Sequence, residues 1–148
     1  MAKQTSLGTG YAISAAEPAT YDSAGFLALT WTEVPDVTNI GDFGPTFEDV
    51  TDTPLVSGIT EHRKGGADYG EFAPAMTYDA ADAGQSLFIA GVDGANRDVV
   101  YSHRVTLQDG TIFYVTGQIF AAPLSVADAS SMVSMTGSVK LNNKPVVV

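Results

Sequence analysis

Two histidines and several closely spaced carboxylates are the residues of this chain whose types could support chemistry. His62 is followed directly by Arg63 and Lys64, and neighbouring cations disfavour a bound metal ion. His103 alternates with apolar residues along a strand-like segment, which is typical of a packed or hydrogen-bonded histidine. Neither histidine has a second histidine three to five residues away, a spacing common in zinc sites. The sequence therefore predicts no metal and no cofactor.

Paired acids are the other candidates. Glu48 and Asp49 lie close to Asp52, and two carboxylates can together hydrolyse a glycosidic bond. With 17 acids in 148 residues, however, such pairs arise by chance. Sugar sites also tend to carry several aromatic side chains, and Trp31 is the only tryptophan. The chain has no Gly-x-Ser-x-Gly motif, no phosphate-binding P-loop and no cysteine, so we predict that it is not an enzyme.

The overall charge excludes some partners and favours others. The chain has 17 acids, 7 bases and a net charge of −10, which argues against a protein that grips nucleic acid through its phosphates. Only 16% of the residues are charged, against about 25% in an average soluble protein. Interface centres are depleted in charge, so this deficit predicts extensive contact with copies of the same chain. No stretch approaches the roughly 20 apolar residues of a membrane span.

The charge is unevenly placed along the chain. No Lys or Arg lies between Lys3 and Arg63, whereas nine acids do. The basic cluster His62-Arg63-Lys64 follows that stretch, with Gly65 and Gly66 after it. This pattern fits two interpretations. It is either an acidic surface followed by a solvated loop, or a field of one sign that meets a complementary loop on a neighbour.

The periodicity is mainly that of strands. Period-two alternation of apolar and polar residues is clearest over 99–107 and 132–141. Asp109-Gly110 between two such runs predicts a hairpin turn. The predicted strands are Phe26–Val34, Val37–Phe43, Phe47–Thr53, Phe72–Tyr78, Val99–Leu107, Ile112–Phe120 and Met132–Leu141.

The remaining segments complete a mainly β fold. Helical spacing of apolar residues predicts one helix over about 80–90, with Asp79 as its N-cap and Gly91 at its end. Pro54–Asp68 is predicted as a long loop, and residues 1–20 and 142–148 as extended terminal arms. We therefore predict a single domain over 1–148, an antiparallel β-sandwich or barrel with one flanking α-helix. Trp31, on a predicted strand, is expected to be a core or interface anchor.

The order of these features resembles the tail tube proteins of long-tailed bacteriophages with non-contractile tails (siphovirus type) and of related gene-transfer particles. The resemblance covers about Ala28 to Leu141, and the N-terminal segment through Thr20 falls outside it. The residues that carry it are Trp31-Thr32-Glu33-Val34-Pro35, Val37, Ile40-Gly41, Glu48-Asp49-Val50-Thr51-Asp52-Thr53, Gly65-Gly66, Tyr69-Gly70-Glu71, Tyr78-Asp79-Ala80-Ala81-Asp82-Ala83-Gly84, Leu107, Asp109-Gly110-Thr111, Phe113 and Val139-Lys140-Leu141.

The resemblance implies a structural role in a virion tail. Six copies form a ring, rings stack into a tube, and the tube conducts double-stranded DNA from capsid to host without binding it specifically. The implied partners are the chain itself, a tape measure protein in the lumen, and tail terminator and distal tail proteins, with assembly in the host cytoplasm. Acids expected to face the lumen, where they would repel DNA phosphates, are Asp42, Glu48, Asp49 and Glu71. Residues expected to contact the next ring are Thr60, Glu61, His62, Arg63 and Lys64.

Other classes share this mainly β, acidic character. One alternative is a monomeric β-sandwich that mediates adhesion or binds carbohydrate, which should carry exposed aromatics or a calcium site. A second is the tube protein of a contractile injection or secretion system, which has the same architecture. A third is a capsid decoration protein.

Overall fold

The computed structural model describes residues 3–148. This part of the chain contains thirteen strands, two α-helices and a short 3-10 helix over Gly94–Asn96. The strands are β1 Gly10–Ser14, β2 Thr32–Val34, β3 Val37–Asn39, β4 Thr46–Asp52, β5 Glu61–Asp68, β6 Glu71–Phe72, β7 Ala75–Thr77, β8 Tyr101–Thr106, β9 Ile112–Ala121, β10 Leu124–Ser125, β11 Ser134–Thr136, β12 Ser138–Leu141 and β13 Val146–Val147. The helices are α1 Ser23–Leu27 and α2 Ala83–Ala90.

The larger sheet has seven antiparallel strands. Its order is β2-β1-β8-β9-β12-β6, and β13 also pairs with β9. The β8–β9 connection is the predicted Asp109-Gly110 turn, in which Gly110 has a φ of +92° and the Thr111 amide donates to Asp109. Glycine reaches this left-handed conformation without steric cost, so the hairpin prediction is confirmed.

A second sheet of four strands, in the order β10-β11-β7-β3, packs over the first to enclose the core. Met76 and Met135, opposite each other on β7 and β11, are buried in this core with Tyr11 and Phe72 from the larger sheet. The predicted mainly β, antiparallel architecture is therefore confirmed. Neither sheet closes into a barrel within residues 3–148.

Helix α2 begins later than predicted. Asp82, not Asp79, is the N-cap, and its carboxylate accepts from the Gly84 amide at 3.1 Å. The helix ends at Ala90 as predicted, and its Phe88 side chain packs in the hydrophobic core. A Cβ on Gly84 would lie 2.5 Å from the Glu33 carbonyl oxygen, so glycine lets α2 approach β2 closely.

The first half of the predicted strand 26–34 is wrong, because Ser23–Leu27 is helix α1. The Asp22 carboxylate accepts from the Gly25 amide at 2.8 Å, which caps this short helix. Phe26 is fully buried, and its ring stacks on that of Tyr114 with 4.8 Å between the ring centroids. Tyr21 packs edge-on against Phe26, with 5.2 Å between the centroids. Phe26 therefore covers part of the outer face of the larger sheet, whereas Leu27 faces solvent.

The segments predicted as terminal arms, 1–20 and 142–148, both contribute strands. β1 lies between β2 and β8 and is almost wholly buried, because Tyr11 and Ile13 enter the core while Ala12 faces α1's side of the sheet. β13 pairs with the start of β9. A strand covered on both faces shows no alternation of apolar and polar residues, which explains why the pattern did not reveal β1.

The predicted loop over 54–68 is also wrong in its second half. Glu61–Asp68 forms β5, which pairs only with β4 in a separate two-stranded sheet. The connection between the strands is shortened to residues 53–60. The side chains of both β4 and β5 face solvent. The β5 sequence, EHRKGGAD, therefore lacks the alternation of apolar and polar residues that predicts a strand.

Candidate assembly surfaces

Residues 46–68 form a hairpin that projects from the body of the fold, and we refer to it as the exposed hairpin. Every residue of β4 is exposed, and in β5 only Gly65 is partly covered. An isolated two-stranded hairpin is marginally stable in water. The exposed hairpin thus contributes nothing to the core, and its side chains are available for contacts outside the chain.

One face of the exposed hairpin carries a histidine–carboxylate contact and a cation over an aromatic ring. His62 Nδ1 lies 2.9 Å from Asp49 Oδ2, and the Lys64 ammonium lies 5.0 Å from the centre of the Phe47 ring. The structure therefore joins Asp49, an expected lumen residue, to His62, an expected contact to the next ring. Both side chains are more than half exposed, so the pair contributes little to stability.

The opposite face of the exposed hairpin is acidic. Asp52 lies directly across from Glu61, and like charges in this position repel. Arg63 Nη2 reaches Glu61 Oε2 at 3.7 Å, whereas Asp52 has no cationic partner within residues 3–148. Glu48 is on this face too, two residues along the strand from Val50. The basic cluster is thus partly neutralised by acids of its own hairpin.

The tip of the exposed hairpin is apolar, a feature that the sequence analysis missed. Leu55 and Val56 are 101% and 102% exposed, and Ile59 is 67% exposed. The turn is closed by the Gly58 amide, which donates to the Pro54 carbonyl at 2.8 Å, and Gly58 has a φ of +65°. Three large apolar residues beside Pro, Ser and Gly in a turn were the signal available in the sequence.

The other two expected lumen acids lie elsewhere. Asp42 is in the connection between β3 and β4, at the rim of a cavity of about 500 Å³ lined also by Ile40 and Phe43. Glu71 is on the edge strand β6, opposite Lys140, and accepts from the Ser138 hydroxyl. The four acids therefore occupy three separate parts of one chain. Whether they share a lumen depends on how copies are arranged, so their role remains a prediction.

Trp31 lies just after α1 rather than within a strand. Its Nε1 donates to the Phe26 carbonyl at 2.9 Å, and its ring lies 5.7 Å from that of Tyr114. The Arg104 guanidinium is 5.2 Å from the ring centre and also pairs with Glu33. These contacts fasten α1 to the larger sheet and cover one face of the indole.

His103 is completely buried, as expected of a packed histidine. Its Nδ1 lies 2.7 Å from the Tyr11 hydroxyl, and the two rings stack. Burial lowers the pKa of His103 to about 3 and raises that of Tyr11 well above its usual range, because both charged forms are disfavoured away from water. At neutral pH the pair is uncharged and serves the core.

Two further features bear on function. In residues 3–148, no group of three or more His, Asp or Glu side chains is arranged to hold a metal ion. No helix in this same part is long and apolar enough to cross a membrane.

The sequence matches no protein-family model and no curated protein at a significant level. Solved structures match it over nearly its whole length. A chain of the anti-feeding prophage baseplate has a TM-score of 0.76 at 8% identity, covering 100% of this chain and 97% of that one. This protein has the fold of chains in phage-tail-like particles. A chain from the tail of an empty GTA particle has a TM-score of 0.66 at 14% identity, covering 99% of both chains.

A third match comes from an extracellular contractile injection system. A chain in the structure of that system's sheath/tube terminator in the extended state has a TM-score of 0.61 at 8% identity, covering 93% of this chain and 92% of that one. At these identities the tail-particle fold is shared and the residues are not, so the matches concern architecture alone.

Proposed function

We propose that this chain is a structural subunit that builds the tube of a phage-tail-like particle and catalyses no reaction. The observation that carries the proposal is the exposed hairpin, whose apolar tip has no cover in the isolated chain. Large exposed apolar residues close together mark protein–protein contacts. The fold is shared with chains from a baseplate of six-fold symmetry and a tail of C6 symmetry, which supports a six-fold ring here too.

We propose that six copies form a ring and that rings stack, with the exposed hairpin as the contact between rings. Thr60 and the segment 61–64 lie on this hairpin, as that role requires. A second exposed apolar group lies at the edge strand β10 and the following loop, with Leu124, Val126 and Met132. This edge is a candidate for the contacts within a ring, because covering it removes an open sheet edge. Rings close on themselves, whereas head-to-tail stacking continues indefinitely.

The acids are proposed to line the channel. An excess of 17 acids over 7 bases gives an anionic wall from which DNA phosphates are repelled, so DNA slides without adhering. Screening over about 8 Å in physiological salt confines this effect to the wall layer. Asp42, Glu48, Asp49 and Glu71 remain the proposed lumen residues. A tape measure protein, a tail terminator and a distal tail protein are the proposed partners, in a siphovirus-type virion assembled in the host cytoplasm.

A second candidate is the tube of a contractile system. It is favoured by matches to chains in the structures of a sheath/tube terminator and of a sheath–tube complex, the latter with a TM-score of 0.59. The two candidates differ in what surrounds the tube. Isolated particles with a contractile sheath around this protein would support the second, whereas a bare tube attached to a DNA-filled capsid would support the first.

Electron microscopy and sedimentation of the purified protein at rising concentration test the proposal. We expect six-fold rings or tubes for the native chain, and their loss in the double variant Leu55→Ser, Val56→Ser. Leu27→Ser, at an exposed apolar residue of α1, is the matched control and should still assemble. A chain that stays monomeric at every concentration and is absent from tail shafts in isolated particles would overturn the proposal. Binding of that monomer to glycans would favour the adhesion alternative.

A further inference from the structure

We infer that the apolar tip of the exposed hairpin in one copy docks into an apolar groove at the base of the hairpin in the next copy. This inference rests on the proposed function and adds the receptor for the tip. The groove has a volume of about 410 Å³ and lies between the start of β4, the Phe113 end of β9 and the C-terminal strand β13. Its apolar lining includes Phe43, Phe47, Tyr69, Phe113, Pro145 and Val147.

Packed aromatic rings form the floor of the groove, and its walls are partly exposed. Phe43 packs edge-on against both Phe113 and Phe72, with ring centroids 5.8 Å apart in each pair. Phe47 and Val147 remain about half exposed, so apolar surface on either side still faces water. A cavity of about 150 Å³ holds a benzene molecule, so this groove has room for the side chains of Leu55 and Val56.

The tip of the same chain cannot fill this groove. Phe47 lines the groove at the base of the exposed hairpin, and β4 runs from there to Asp52. Five residue steps in an extended strand span about 17 Å, and the tip lies beyond them. The apolar tip and the apolar groove thus lie at opposite ends of one hairpin. The occupant that fits is the tip of a second copy.

Unpaired charges next to each surface are complementary. Asp52 lies three residues before Leu55 and has no cationic partner within residues 3–148. Lys144 lines the groove and has no acidic partner in the same part of the chain. Docking of the tip brings these opposite charges to the rim of the contact. Such exposed pairs add little affinity but fix the register of approach.

The contact joins two different patches of the same chain, so it is heterologous. Each docked copy presents a free tip on one side and a free groove on the other. Contacts of this kind extend without limit unless a rotation closes them into a ring. The tip and groove therefore account for the growth of a stack by addition of identical units.

Disulfide trapping tests the inference, because the native chain contains no cysteine. In tubes assembled from the double variant Val56→Cys, Val147→Cys, mild oxidation should give a ladder of covalent multimers on a non-reducing gel. Val56→Cys with Val92→Cys is the matched control, since Val92 is exposed but lies outside the groove, and it should give no ladder. Val56→Cys alone should also give none.

A charge swap provides a second readout. Lys144→Glu should raise the protein concentration needed for tube assembly about two- to fivefold, and adding Asp52→Lys should restore it. Native tubes that form while the cysteine pair gives no ladder and the swap gives no rescue would overturn the inference and leave the proposed function intact. If the cysteine pair prevents assembly, the inference is tested by the charge swap alone: recovery of assembly on adding Asp52→Lys to Lys144→Glu supports it, and no recovery overturns it. Absence of native tubes, both from purified chain and in isolated particles, would instead overturn the proposed function.

Discussion

The hydrophobic core and the exposed hairpin are both antiparallel β-structure, yet they differ in where their apolar side chains find cover. Phe72, Met76 and Phe88 are fully buried by their own chain. Leu55 and Val56 at the hairpin tip are fully exposed. Burying apolar surface is the main stabilising term in folding, so the stability of a single copy resides in the core. The apolar residues at the hairpin tip have no cover from their own chain.

The ionisable groups of the two regions differ in the same way. His103 and Tyr11 form a buried, neutral pair in the core. His62 and Asp49 form an exposed pair on the exposed hairpin. The core should therefore respond to pH through the cost of charging a buried group, whereas the hairpin pair is screened by solvent and salt.

Truncating a core aromatic should break the body of the fold most severely. Phe88 is fully buried, and a Cβ on Gly137 would lie only 2.1 Å from its ring. We expect Phe88→Ala to lower the free energy of unfolding by about 3–5 kcal/mol, measured by urea denaturation, because it leaves a cavity. A loss below about 1 kcal/mol would contradict the assignment of this residue to the core.

Acid should destabilise the core through His103. The unfolded chain binds a proton near pH 6.5, whereas the pKa of His103 in the fold is lowered to about 3 by burial. As pH falls from 6.5 toward 3, the unfolded state gains protons that the native state does not, so stability falls. The His103 contribution between pH 7 and pH 4 should be about 3 kcal/mol.

Urea denaturation across this pH range measures the effect, and imidazole resonances identify its source. His62→Gln is the control, since His62 is exposed on the hairpin, and it should retain the steep loss at low pH. A His103 resonance in the folded protein that titrates near pH 6.5 would show that this explanation is wrong.

Close packing of α2 on β2 should give a smaller effect. A Cβ on Gly84 would meet the Glu33 carbonyl oxygen at 2.5 Å and Val34 Cγ2 at 2.7 Å, so Gly84→Ala must displace the helix. We expect a loss of about 1–2 kcal/mol after the better helix propensity of alanine is included. Gly94→Ala is the matched control, because no atom lies within 4 Å of its added methyl group, and the two unfolding midpoints should differ.

The smallest effect on a single copy is expected at the hairpin tip. Leu55→Ser should change the free energy of unfolding of the monomer by less than about 0.5 kcal/mol, because an exposed side chain makes no contact to lose. The same change should weaken assembly in sedimentation experiments. A large loss of monomer stability would show that the tip packs on its own chain, and would erase the contrast between the two regions.

The sequence predicted the strands in which apolar and polar residue types alternate. β8 has such an alternation around His103, and the turn that follows it has the Asp-Gly signature, although outer-face residues such as Ser102 are buried too. β1 was missed because Tyr11, Ala12 and Ile13 are all apolar, and β5 because none of its side chains is buried. Both cases remove the period-two contrast on which a strand prediction depends.

The candidate site was predictable only in part. The sequence drew attention to residues 60–64 through their charge, and this segment lies on the exposed hairpin. It did not indicate that Asp49 and His62 would pair, because that contact depends on a register set across the hairpin. The groove was beyond reach for a similar reason. It is assembled from segments near residues 45, 69, 113 and 145, which only the folded chain brings together.

The position of β1 in the middle of the larger sheet has a consequence for synthesis. The Tyr11 hydroxyl can bond to His103, 92 residues further along the chain, only after β8 has been synthesised. Until then β1 lacks one of its two neighbouring strands. Closing so long a loop is entropically costly and slow. The exposed hairpin needs only neighbours in sequence, so it can emerge from the ribosome ahead of the sheet that bears it. A nascent chain therefore carries the apolar tip early but completes the groove only when its last residues are synthesised. Unfinished chains thus have no groove in which the tip of another chain could dock.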